Sequence, residues 1–101
     1  MITFKSVGEA LRPVYDPEIR ISIVDLGLIY GARIEEDDSV KVTMSLTSPA
    51  CPYGPALLAS VHGALAKIPG VRDVDVDLTF SPTWDPRIMA SEEAKDQLGL
   101  F

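Results

Sequence analysis

The stretch Asp73-Val74-Asp75-Val76-Asp77-Leu78-Thr79-Phe80 alternates polar and apolar side chains without a break, the cleanest such pattern in the chain. Successive side chains on a strand point to opposite faces. This segment is therefore a strand with Val74, Val76, Leu78 and Phe80 on one face and Asp73, Asp75, Asp77 and Thr79 on the other. Upstream, Leu28, Tyr30, Ala32 and Ile34 alternate with Ile29, Gly31, Arg33 and Glu35. After the polar turn Glu36-Asp37-Asp38-Ser39, Val40, Val42, Met44 and Leu46 alternate with Lys41, Thr43, Ser45 and Thr47, which describes an antiparallel hairpin. Each strand pairs an apolar face with a polar one, so helices should cover one side of the sheet while the other meets water or a partner. The expected fold is α/β of the α+β type: a two-layer sandwich of a small three-stranded mixed sheet with helices on one face.

The helices are legible from caps and prolines. Thr3 caps a first helix whose apolar Phe4, Val7 and Leu11 make one buried stripe, with Pro13 forcing its end. Between the hairpin and the last strand, a second helix runs from Pro52 or Pro55 to Lys67. It buries Leu58, Val61, Leu65 and Ile68 and stops at Pro69-Gly70. Trp84-Asp85-Pro86 and Ser91-Glu92-Glu93 open two further capped turns, and Leu100-Phe101 are left loose or docked on a neighbouring chain. Asp16-Pro17-Glu18 describes a tight turn or a single helical turn, and Ile19, Ile21 and Ile23 fit either a strand or a packed loop.

Composition narrows the function. With 101 residues, 47% hydrophobic and 24% charged, residues 1–101 form a single domain with room for one core. Fifteen acidic against nine basic side chains give a net charge of −6 with no basic run, so nucleic acid and anionic membrane are poor partners. The uncharged stretch Val42 to Ala66 is broken by Pro49, Pro52, Gly54 and Pro55, which argues against a membrane span. One cysteine and no leader before Thr3 make the cytoplasm the expected compartment.

Cys51 lies in Thr47-Ser48-Pro49-Ala50-Cys51-Pro52, between strand and helix. If Pro52 is the first helical residue, Cys51 is the N-cap, and the free amides and dipole there favour its thiolate. If Pro55 starts the helix, that argument weakens, and a small buried hydrophobe is the plain alternative. His62 falls eleven residues beyond Cys51, roughly 16 Å along a helix, too far to act as its base or co-ligand. Asp73, Asp75 and Asp77 lack a calcium-loop turn and read as a solvated face, with Arg33 and Lys41 beside them. Asp16, Glu18 and Asp25, in a loop-rich stretch flanked by apolar residues, are either turn caps or a functional acid group. Neither GxGxxG nor GxxxxGK occurs, which removes dinucleotide and phosphate-loop chemistry.

Asp16-Pro17-Glu18, Asp25-Leu26-Gly27-Leu28-Ile29-Tyr30, Thr47 to Pro52, Pro69-Gly70-Val71 and Trp84, in that order and spacing, resemble the iron–sulfur cluster assembly domain family. Its members include SufT-like and PaaD-like factors and cytosolic iron–sulfur targeting factors, and the likeness runs from about Phe4 to Leu98. The resemblance implies an auxiliary factor in iron–sulfur cluster assembly or delivery to client proteins rather than an enzyme. It places a cluster- or client-binding site on Cys51, Asp16, Glu18, Thr47 and Ser48, with Asp25 and Trp84 in support and Cys51 as the metal ligand. The implied partners are the assembly machinery and client apoproteins. Any transient iron–sulfur cluster needs about four ligands against one thiol per chain, so it would have to be shared between chains, across a homodimer, with a client or with glutathione-like thiols. PaaD-like members commonly carry a cysteine-rich tail, which this sequence lacks, pointing to a general factor. A metal-free adaptor and a thiol-dependent metabolic enzyme are the competing readings. The enzyme lacks both a resolving cysteine and a base.

Overall fold

A computed structural model describes residues 2–48, 50 and 52–99. The elements run α1 (Phe4–Leu11), α2 (Ile23–Leu26), β1 (Ile29–Ile34), β2 (Ser39–Met44), α3 (Gly54–Ala66), β3 (Asp73–Leu78), α4 (Pro86–Met89) and α5 (Glu92–Leu98). The sheet order is β1-β2-β3, with β1 antiparallel and β3 parallel to β2. The mixed sheet follows from chain economy: β1 and β2 are joined by a turn, whereas a parallel return to β3 needs a crossover, supplied by α3. Val40, Val42 and Met44 of β2 are fully buried beneath Leu57, Val61 and Leu65 of α3 and Val7 and Leu11 of α1. On the other face, register pairs Lys41 with Asp75, and its ammonium lies 3.9 Å from Asp75 and 3.2 Å from Asp77.

Thr3 caps α1 as expected: its Oγ1 accepts from the Ser6 amide at 3.0 Å, and Ser6 Oγ accepts from the Thr3 amide at 2.9 Å. Phe4, expected in the buried stripe, is 65% exposed. Ile2, just before the cap, and Val7, in the second turn, fill the core instead, the positions that form a hydrophobic staple. The expected inward set on β1 also changes. A bulge between Ile29 and Gly31 makes Tyr30 the extra residue, so Ile29, Ala32 and Ile34 meet Met44, Val42 and Val40. Leu58 is half-buried, its place in the core taken by Leu57.

The stretch Ile19 to Ile23 is neither a strand nor an open loop. Arg20 adopts φ 65° and Tyr15 bridges Ser22, after which Ser22 caps the single-turn α2 and Gly27, at φ 76°, ends it. A Cβ on Gly27 would fall 2.1 Å from the Met89 carbonyl oxygen, so α4 seats directly on this glycine. Gly27→Ala should therefore lower unfolding free energy by about 2 kcal/mol in urea titration, from clash and left-handed strain together. Gly8→Ala, in α1 with open space around it, should raise stability by about 0.5–1 kcal/mol in the same titration.

Candidate functional site

The β2 ladder continues past its last strand residue. The Ser45 amide donates to Leu28 O and the Thr79 amide to Met44 O, both at 2.8 Å. These bonds fix where the chain leaves the sheet, at the carboxyl ends of the parallel pair, where open α/β sheets place their ligands. Ser45 and Leu46 are buried, and Leu46 packs so close to Gly54 that a Cβ there would stand 2.9 Å from Leu46 Cδ1. Both ends of the strand-to-helix loop are thereby pinned. Within it, Thr47 is half-buried and Ser48 exposed, with Ser48 Oγ accepting from the Ala50 amide at 3.2 Å. Cys51 and Pro49 lie outside the described residues.

The helix after this loop starts later than a Pro52 reading places it. Gly54 is its first residue, Pro55 its second, and Tyr53 its N-cap, without a side-chain hydrogen bond. Cys51 is thus not the cap, and the thiolate argument from an N-cap position is replaced by a place two residues further out. A proline fits either of the first helical turns, so two prolines three residues apart leave that choice to packing, here the close contact of Leu46 with Gly54. His62 is exposed on α3.

Asp16 is 1% exposed and organises the acid-bearing turn. Its Oδ1 accepts from the amides of Glu18 at 2.8 Å and Ile19 at 3.0 Å, while its carbonyl accepts from Arg20 at 2.8 Å. Glu18, in contrast, projects into solvent. The turn feeds α2, where Ser22 Oγ donates to Arg12 O at 2.7 Å and Asp25 lies 3.5 Å from the Arg12 guanidinium. The segment after β3 then clasps α2 from the far side. Trp84 Nε1 donates to Leu26 O at 2.7 Å, and the Ser91 amide donates to Asp25 O at 2.7 Å.

The structure thus joins Asp25 and Trp84 in one clasp, and joins α2 to the start of the loop through Leu28, whose amide bonds Ile23 O and whose carbonyl takes the Ser45 amide. Asp16 is a buried scaffold, Glu18 an exposed carboxylate, and Thr47 and Ser48 members of the loop. Among the described residues no three of His, Cys, Asp and Glu gather as a metal-holding group. Asp37, whose carboxyl is held below its ordinary value by hydrogen bonds from the Ser39 hydroxyl and backbone, sits in the hairpin turn at the opposite end of the sheet. A groove of about 550 Å³ between α1 and the end of α3, lined by Glu9, Pro13 and Lys67 among others, is likewise remote from the loop. Arg12, Ser22 and Ser91 belong to the clasp and carry no motif; Ser22 before Gly27 and Ser91 before Glu92-Glu93 are their only sequence signals.

Residues 5–78 match the model of a family described as iron–sulfur cluster assembly protein. A Porphyromonas gingivalis protein named Fe-S protein maturation auxiliary factor is 43% identical, the match covering 98% of this chain and 93% of that protein. A Bacillus subtilis protein of the same description, YitW, is 42% identical over 95% of this chain and 93% of its own length. The crystal structure of a domain of unknown function from Bacillus anthracis superposes with a TM-score of 0.88 at 31% identity, covering 96% of this chain and 92% of that one.

Because Asp16 accepts from two amides, Asp16→Ala should cost about 2 kcal/mol in chemical unfolding, since two partly buried amides lose their partner. Asp16→Asn, which keeps the acceptor oxygen, should cost about half of that. Equal losses would assign the effect to charge instead.

Proposed function

The chain belongs to the iron–sulfur cluster assembly protein family, and from that premise we propose that it serves as an auxiliary factor in iron–sulfur protein maturation, with the loop between β2 and α3 as its working surface. The observation that supports this most is the coincidence of two facts. The relatives named as maturation factors match almost the whole chain. The chain's single cysteine also falls, in sequence, between β2 and α3, in the connection that leaves the sheet at the carboxyl end of the parallel strand pair.

Ligand arithmetic constrains the step. Cluster irons take about four protein or thiol ligands in all, and one chain supplies one sulfur. The cluster is therefore cargo held jointly, with Cys51 sharing it across a homodimer or with a client protein, and with glutathione-like thiols filling the ligand positions that two chains leave open. Thr47 and Ser48 of the same loop carry hydroxyls able to donate to cluster sulfides or to a thiolate, and Glu18, in the turn before α2, carries an exposed carboxylate. Asp16 holds the turn that presents Glu18, and Asp25 and Trp84 hold α2 beside the loop. Clients and the assembly machinery are the partners of this surface, and the factor does no chemistry of its own beyond ligand exchange.

Cys51→Ala should lower the activity of iron–sulfur enzymes in cells by about tenfold or more, with the variant's abundance and melting temperature unchanged. Unchanged enzyme activity at equal abundance would take Cys51 out of the mechanism and leave a metal-free adaptor.

A further inference from the structure

The outer edge of the sheet has no part in the loop and clasp described above. β3 has a neighbour on one side only. Because the Thr79 amide points to Met44 and backbone groups alternate along a strand, the amides and carbonyls of Asp75 and Asp77 turn to β2, whereas those of Val74, Val76 and Leu78 turn away. The Val74 amide is met by Oδ1 of its own neighbour Asp73 at 2.9 Å, a local bond that a strand partner would replace. The segment after β3 crosses towards β1, where Tyr30 Oη donates to Pro82 O at 2.9 Å, and among the described residues no strand pairs with this edge.

The side chains along the edge are two-sided. Val74 and Val76 are half-buried although Val40 and Val42, their register partners on β2, are fully buried, and Leu78 is 41% and Phe80 37% exposed. On the opposite face the carboxylates of Asp75 and Asp77 share the one ammonium of Lys41.

We propose that the β3 edge accepts an extended segment of a partner protein as a fourth strand, one in which basic and apolar residues alternate. Edge addition draws affinity from backbone hydrogen bonds and specificity from alternate side chains. Basic residues would lie beside Asp75 and Asp77, and apolar ones against Val76 and Leu78. A second copy of the chain is the wrong occupant, because β3 beside β3 sets aspartate against aspartate between bodies that each carry a net charge of −6. The same acid row thus disfavours edge-to-edge pairing of two β3 strands, leaving any association of copies at the Cys51 loop unaffected, and selects a basic partner at this edge. This docking surface extends the maturation role by a place for clients or machinery, and it does not involve Cys51.

The test uses the full chain with an eight-residue peptide of alternating lysine and valine, and a glutamate–valine peptide as control. The lysine peptide should bind, slow hydrogen exchange at the Val76 and Leu78 amides, and weaken about tenfold between ~50 and ~500 mM salt. Leu78→Pro, which removes an outward amide and no bond to β2, should weaken it about tenfold or more. Asp75→Lys combined with Asp77→Lys should switch preference to the glutamate peptide, which decides the matter even if the proline variant does not fold. Absence of binding, equal binding of both peptides, or binding without protection of those amides overturns the proposal. Cys51→Ala should bind the peptide as wild type does, so a failure here and a failure of the cysteine mechanism are separately visible.

Discussion

The parallel pairing of β2 with β3 is the constraint on which the rest depends. Two adjacent parallel strands cannot be joined by a turn, so the chain must leave the sheet at the end of β2, cross it as α3 and re-enter at the start of β3. Burial of Val40, Val42 and Met44 beneath Leu57, Val61 and Leu65 makes this arrangement favourable, at about 1.5–3 kcal/mol for each fully buried aliphatic side chain. The loop that carries Cys51 is therefore placed by the core. Leu46 against Gly54 on one side, and the Ser45 to Leu28 bond on the other, fix its ends.

Around this unit the remaining segments act as braces. α2 is too short to be stable alone, since a helix of one turn has not recovered its nucleation cost. It persists because Ser22 caps it, Gly27 terminates it, and Trp84, Met89 and Ser91 hold its backbone from outside. Asp16 does the same for the preceding turn with one buried carboxylate oxygen on two amides. The acids that looked alike as letters thus have different work: Asp16 builds, Asp25 pairs with Arg12, and Glu18 is presented to solvent.

Much of this was readable from residue order alone. The hairpin, the last strand, the caps Thr3, Asp85 and Ser91 and the stop at Pro69-Gly70 all follow local rules that nearby residues satisfy by themselves. What escaped depends on contacts distant in sequence or on too few residues to show a period. Four residues of α2 cannot display a helical repeat, and the bulge at Tyr30 is set by its pairing across to β2 and is accompanied by a bond to Pro82, 52 positions away. The start of α3 hung on Pro52 against Pro55, which propensity cannot separate and the fit of Gly54 under Leu46 decides. Of the candidate site residues, the ordered motifs fall on the loop (Thr47, Ser48), on the acid-bearing turn (Asp16, Glu18) and on the clasp (Asp25, Trp84). The division of labour between Asp16 and Glu18 rests on burial, which no motif states.

The central claim is that one sulfur per chain holds cargo jointly with a second protein. Anaerobic reconstitution with iron and sulfide, read by native mass together with visible absorption, tests it most directly. The account predicts that colour and cluster mass reside in a species of two chains, or of one chain with an added client, and that Cys51→Ala abolishes both. A coloured single chain, or a variant that loads as well as the wild type, would contradict it.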